Sequence, residues 1–564
     1  MLFGLLASGR KPAQETLLKR SNSKIGGNGM KTTTTKKKDS AAAPSLFRLN
    51  SAGAPLRWRE DCPLWERASQ IFALVILTIF PLLVGTDGYY NITVSKFIIF
   101  IVLTSLYVLA CLVIGFVFRP GKQVNNVMRE RRKVRLTVPQ IFLIAYVLWA
   151  AICVWRSPYG NLWIGQSRYE GMLSIILYSV VFLLLSFWGE YTDAYTYGLG
   201  IMGIITGFFA MVQSFGSTII FGKGLNYWNT SFLTTIGHED CVACLICILI
   251  PSLLCGFVIL KSGWRWLGVP ALFLMTYINI FSDVDTAKLG FVAVFLVLPC
   301  LVQSRDRLRN LFVGLIPILL GASLGFSYHR DRSFAPGAAA LVFLLAAIAL
   351  GAAAWYMDRH ERSWSVKPAV VRRAGYALML VLLILALIVL YNYQGSYRLL
   401  REISELLHGR MSDRAGSLRG YIWKCTLQII RDNPIFGGGP GSFASLFLPY
   451  DEGYAALAGG DILIDFPHND FLSVAACTGL VGFALYLAFL IALAVRGIRA
   501  AHRSPVLLIL LAGAAGYLIY SFFVFSIAIV TPLFWTLAGL ADKCVRQTDD
   551  ASAQPADQPT GNIK

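Results

Sequence analysis

The sequence predicts an all-α polytopic membrane protein, with about 12–14 transmembrane helices and a large external loop before the last three. Three observations carry that reading. Of the 564 residues, 56% are hydrophobic and only 14% charged, whereas an ordinary soluble domain carries about 25% charged residues. Uncharged runs such as Phe97 to Phe118, 22 residues long, match a hydrocarbon core that needs roughly 20 helical residues. These runs recur almost to the C-terminus, and their length favours helices over the shorter strands of a barrel.

In chain order the expected spans are 68–86, 94–118, 138–155, 171–188, 196–215, 240–260, 267–282, 288–303, 311–327, 338–356, 374–392, 471–495, 505–523 and 527–541. Lys96, near the start of the second, is expected to snorkel to the interface. Loops 119–135, 304–310, 358–373 and 496–504 are all rich in Lys and Arg, which assigns them to the cytoplasm. Both termini then lie inside as well. Arg330 and Arg332 fall in an external loop on this topology, its weakest point.

The membrane domain therefore covers 68–541, preceded by a tail at 1–60 and followed by a short tail at 542–564, both expected to be disordered and cytoplasmic. The first 60 residues hold 12 Lys and Arg against three acids. With KTTTTKKK and little apolar periodicity, this segment suits attraction to anionic lipid. No nucleic-acid partner is inferred from the net charge of +19, because most of it sits in this tail and the cytoplasmic loops. No cleavable signal peptide is expected, since MLFGLLASGR has too short an apolar core. Most of the eleven cysteines lie within spans. Cys241, Cys244 and Cys247 have helical spacing in an apolar segment, which suits packing better than a four-ligand cluster. No metal or cofactor is implied.

Polar chemistry collects in the external loop at 393–470, which interleaves Arg398, Arg401, Arg410, Arg414, Arg419, Lys424 and Arg431 with acidic residues. Long ordered loops usually carry a function. GSLRGYIWKCTLQIIRDNPIF reads as an amphipathic helix ended by Pro434, with Leu418, Ile422, Cys425 and Ile429 on one face. Arg419 and Trp423 are neighbours on another. That face suits a bound anion beside an aromatic wall, or equally a helix whose arginine meets lipid headgroups. GGGPGSF, with Gly437 and Gly439, suits converging amides on phosphate or a tight turn. His468 precedes Asn469 and Asp470, either of which can cap the next helix. The positive end of that helix disfavours an imidazolium, so His468 reads as a general base or, more often at such a position, as an interface marker.

Together, Arg419 with Trp423, DNPIFGGGPGSF and PHNDFLSVAACTGLVGFALYL resemble the O-antigen ligase and polymerase family of bacterial membrane glycosyltransferases. WIGQSRYEGMLS, containing Arg168, and PLFWTLAGLA extend the resemblance over about residues 68–541. It implies a GT-C-like fold in the bacterial inner membrane. It also implies metal-independent, inverting transfer of a glycan from an undecaprenyl-type pyrophosphate carrier to a glycan, lipid or protein acceptor. His468 would be catalytic. Arg419 and Arg168 would hold the pyrophosphate, and Lys288 would replace an arginine that many relatives carry, without its bidentate fork. Trp423, Gly437, Gly439 and Asn469 would support the site. TTIGHEDCVA departs from the family pattern, so His238, Glu239 and Asp240 receive no role. The alternative is a transporter of a small anion or lipid-linked glycan, which would place polar groups at midspan; few are found there.

Overall fold

The computed structural model describes residues 64–85, 88–89, 91–117, 136–166, 168–215, 234–282, 284–328, 333–360, 368–395, 398–410, 412–460 and 463–553. The expected tail at 1–60, the basic loop at 119–135, and Arg330 and Arg332 lie outside them. Regular structure among the described residues is helical, apart from two isolated bridges. Among the described residues, nine helices are long and apolar enough to cross a membrane, and Met172–Trp188 and Leu507–Ser521 are shorter apolar ones.

Each expected span coincides with a helix. We number these α1 (Leu64–Leu82, closing through π and 3-10 turns), α2 (Ile92–Val117), α3 (Val138–Arg156), α4 (Met172–Trp188), α5 (Asp193–Ser214) and α6 (Glu239–Ile259). There follow α7 (Gly268–Phe281), α8 (Gly290–Leu301), α9 (Arg305–Ser327), α10 (Ala338–Arg359) and α11 (Pro368–Tyr391). The long segment after α11 folds into α12 (Arg398–Leu407), α13 (Arg419–Asp432), α14 (Phe443–Phe447) and α15 (Asp451–Ala458). The chain ends with α16 (Asp470–Ala501), α17 (Leu507–Ser521) and α18 (Thr531–Ala553).

Burial ranks these helices by position. The best 18-residue window of α6 is 94% buried and that of α11 is 0% buried. A helix hydrophobic on every side must be covered by protein or by lipid; α6 is the centre of the bundle and α11 a lipid-facing rim. Cys241, Cys244 and Cys247 are fully buried on α6, where they act as small packing residues. The Cys247 thiol also donates to the Thr286 carbonyl at 3.5 Å.

Two expectations are corrected. Lys96 does not snorkel: it is fully buried, and its Nζ donates to Pro81 O at 2.8 Å and Phe80 O at 3.4 Å. Pro81 lies in the closing turn of α1, and its carbonyl, which lipid cannot satisfy, accepts from the ammonium and from Thr235 Oγ1 at 3.0 Å. The C-terminal tail does not begin at 542, because α18 continues to Ala553. Asp542 is fully buried and accepts from Arg496 Nη1 at 2.7 Å, from Thr137 Oγ1 at 3.0 Å, and from Ser186 Oγ. Arg496 also reaches Asp549 at 3.3 Å. The helix is therefore tied to α3, α4 and α16 beyond its apolar stretch, by ionic groups that hydropathy counts against it.

Candidate functional site

The segment at 393–470 is anchored where α16 breaks. Gly479, inside α16, has φ 69° and ψ 177°. The interruption frees carbonyls that a continuous helix would bond, and the segment after α13 takes them up. Gly438 N donates to Ala476 O at 3.1 Å, Gly439 N to Cys477 O at 2.7 Å, and Leu480 N to Pro434 O at 2.7 Å. Trp149 Nε1 on α3 donates to Thr478 O at 2.9 Å. The glycine turn is thus the partner of the helix break: the amides of Gly438 and Gly439 are consumed by α16 rather than offered to phosphate. Gly437, at φ 61°, lies so close to α16 that a Cβ would stand 2.4 Å from Ala476 O. At Gly479 a Cβ would lie 2.0 Å from Ile435 O. Gly479→Ala is therefore expected to cost about 3 kcal/mol or more, measured as a lower melting temperature and folded yield in detergent.

That anchor places α13 against α16. Ile422, Cys425 and Ile429 are buried along one face of α13, as the periodicity predicts. The helix ends at Asp432, two residues before Pro434. Its first amides are closed by the preceding loop: Gly420 N donates to Ala415 O at 3.1 Å and Tyr421 N to Asp413 O at 3.2 Å. Any anion binding at this end therefore falls to the side chain. Arg419 donates from Nη1 to Gly416 O at 3.4 Å, a long contact. Its Nε is enclosed without a partner, and no ion pair joins it to a carboxylate among the described residues.

Trp423 serves a different purpose from an open aromatic wall. Its Nε1 donates to Pro467 O at 2.9 Å, the carbonyl of the peptide leading into His468. Its ring also packs near Phe522 and Phe523. Asn469 caps α16 by accepting from Leu472 N at 3.0 Å. His468 is pinned on both sides and held at φ 51°, a left-handed conformation in which histidine and asparagine are enriched.

The imidazole is largely buried, and its Nδ1 is enclosed without a hydrogen-bond partner. Burial, then the Arg419 and Arg168 charges, push its pKa down to about 4, with Asp465 opposing them. The ring is therefore neutral at physiological pH and able to accept a proton. Because the unfolded chain protonates a histidine below about 6.5, folding loses stability as pH falls from there toward the folded value. For a reaction that uses His468 as base, the acid limb of kcat/KM is expected near pH 4 rather than 6.5. The limb of kcat should lie higher, because a bound anion stabilises the imidazolium. Initial rates from pH 4 to 8 measure both.

Arg168 enters from the loop between α3 and α4. Its fork is occupied by Asp465, with Nε to Oδ2 and Nη2 to Oδ1 both at 2.9 Å, and its guanidinium carbon stands 3.7 Å from the Phe525 ring centre. Of its five donors, those of Nη1 and one on Nη2 are left over from this pair. Phe525, in the turn between α17 and α18, also meets the His468 ring at 5.8 Å and the His238 ring at 6.0 Å. His238, Arg168, His468 and Phe525 thus converge, and the sequence offered no sign of Phe525. Lys288 sits instead on a single turn, Asp285–Lys288, with its ammonium on Asp285 Oδ1 at 2.8 Å.

Behind the Arg168–Asp465 pair a cavity reaches into the bundle, lined by Arg168, Glu170, Asp465, Asp470, Tyr517 and Trp535 among others. Burial pushes the Glu170 carboxyl up to about 8, and Tyr178 OH donates to it at 2.7 Å. His468 and Arg419 are not among the lining residues, and the Arg168–Asp465 pair joins the cavity to the cluster.

Residues 335–487 match the family model described as O-antigen ligase. The match contains Arg419, Trp423, the glycine turn and His468; Arg168, His238, Lys288 and Phe525 lie outside it. No curated protein matches the chain.

Proposed function

We propose that the chain, whose residues 335–487 match the O-antigen ligase model, is a membrane glycosyltransferase of the O-antigen ligase/polymerase type with a specific reaction. A glycan is transferred from an isoprenoid pyrophosphate carrier to an acceptor hydroxyl at the external face of the bacterial inner membrane. The observation that supports it best is the pairing of Arg419, which lacks a carboxylate partner among the described residues, with a buried, neutral His468 on the adjoining element.

The chemistry follows from these groups. Arg419 and the free donors of Arg168 hold the pyrophosphate. His468 removes the proton from the acceptor hydroxyl as its oxygen bonds to the anomeric carbon. The bond from that carbon to the phosphate oxygen breaks, and its electron pair leaves with the pyrophosphate. The leaving group is already good, so positioning, charge stabilisation and one proton transfer suffice. Lys288, held by Asp285, contributes positive charge at a distance rather than a fork on phosphate. Both termini remain cytoplasmic in this reading.

Attack from the face opposite the leaving group inverts the anomeric centre. The new linkage is expected to have the opposite configuration to the donor, and transfer to proceed at an unchanged rate in excess EDTA. Proton NMR of the product formed with and without chelator tests both; retained configuration or loss of rate would overturn the direct, metal-independent displacement.

A further inference from the structure

We propose that His238 is the second imidazole of this site and donates a hydrogen bond from Nε2 to the pyrophosphate of the donor, while His468 accepts the acceptor's proton. The inference rests on the reaction above and extends it to a residue that the family resemblance leaves without a role.

Three observations carry it. The first is placement: the His238 and His468 rings flank the same Phe525 ring, at 6.0 and 5.8 Å. The two imidazoles can be no further apart than the sum of those distances, about 12 Å, and the guanidinium of Arg168 lies on Phe525 as well.

The second is the proton. His238 caps α6, and its Nδ1 accepts from Asp240 N at 3.1 Å. The Asp240 carboxylate, at 3.9 Å from the same nitrogen, is beyond hydrogen-bond reach. An Nδ1 that accepts has no proton, so the neutral ring carries it on Nε2. His238 is thereby fixed as a donor. His468 has no such amide on its ring: its Nδ1 is enclosed and unpartnered.

The third is access. The side chain of His238 is 49% exposed, so a ligand can reach its outer nitrogen. The two histidines therefore differ in the property that acid–base chemistry needs. One is buried beside arginines and suited to take a proton; the other is half open, locked by the backbone, and presents N–H. The ligand class suited to that N–H, with the Arg168 guanidinium on the same Phe525 ring, is a diphosphate ester.

Farnesyl diphosphate serves as the probe, with its binding to detergent-purified full-length protein measured by calorimetry. His238→Ser keeps an oxygen to cap α6 but removes the ring donor; it should retain the wild-type melting temperature and raise Kd about tenfold. Arg419→Ala should raise Kd at least as much, and His468→Ala should leave it within about threefold. Farnesol, which lacks the diphosphate, should not distinguish wild type from His238→Ser. If Arg419→Ala weakens binding and His238→Ser does not, the role of His238 is overturned while the pyrophosphate site stands. If wild type fails to bind, or Arg419→Ala binds as wild type does, the underlying reading falls with it.

Discussion

Replacing His468 by alanine is expected to reduce glycan transfer by about 10²–10⁴-fold, the usual contribution of a positioned general base. The size follows from how thoroughly the fold prepares this ring. Trp423 holds the preceding peptide, Asn469 caps the helix that follows, and burial beside two arginines keeps the imidazole neutral. Because His468 lies at φ 51°, alanine also strains the backbone, and His468→Asn is the cleaner variant: asparagine tolerates that conformation but cannot take the proton. Both variants should lose activity alike. A His468→Asn protein that transfers glycan at the native rate would remove the base from the mechanism.

Arg419→Lys is expected to lower kcat/KM for the lipid-linked donor by about 10–100-fold, although it conserves charge. A guanidinium binds two phosphate oxygens in one plane, whereas an ammonium is a compact point charge without the fork. The helix start gives no substitute, since its first amides are already closed by the carbonyls of Asp413 and Ala415. Arg168→Lys should differ in kind. It breaks the two-bond pairing with Asp465 and so disturbs both the cavity wall and the cluster around Phe525. Steady-state kinetics against donor concentration separate the two; an unchanged Arg419→Lys enzyme would place the pyrophosphate elsewhere.

The helices were legible because hydrocarbon demands long uncharged runs, and every expected span holds a helix. The errors fell where ionic groups are buried. Lys96 looked like a snorkelling residue because its partners, the carbonyls of Phe80 and Pro81, lie on another helix. The end of α18 looked like a tail because Asp542 and Asp549 count as breaks in hydropathy, although they pair with Arg496.

In the site, His468, Asn469, Arg419 and Trp423 were legible as a motif, but the task of each was not. Trp423 turns out to hold the His468 peptide, and GGGPGSF closes the break at Gly479. Both are long-range pairings, which no local pattern encodes. Phe525 gave no signal at all, being one aromatic among many in an apolar stretch. His238 stood out in the sequence, yet its meaning depends on where the ends of α6 and α17 meet.

The most direct measurement is incubation of the purified protein with a polyprenyl pyrophosphate-linked oligosaccharide and a panel of glycan, lipid and protein acceptors, wild type beside His468→Asn. Mass spectrometry should find a covalent glycan–acceptor product and free polyprenyl pyrophosphate with the wild type, and neither above background with the variant. Absence of product with the wild type, alongside movement of the lipid-linked glycan across liposome membranes, would contradict a transferase and favour a transporter.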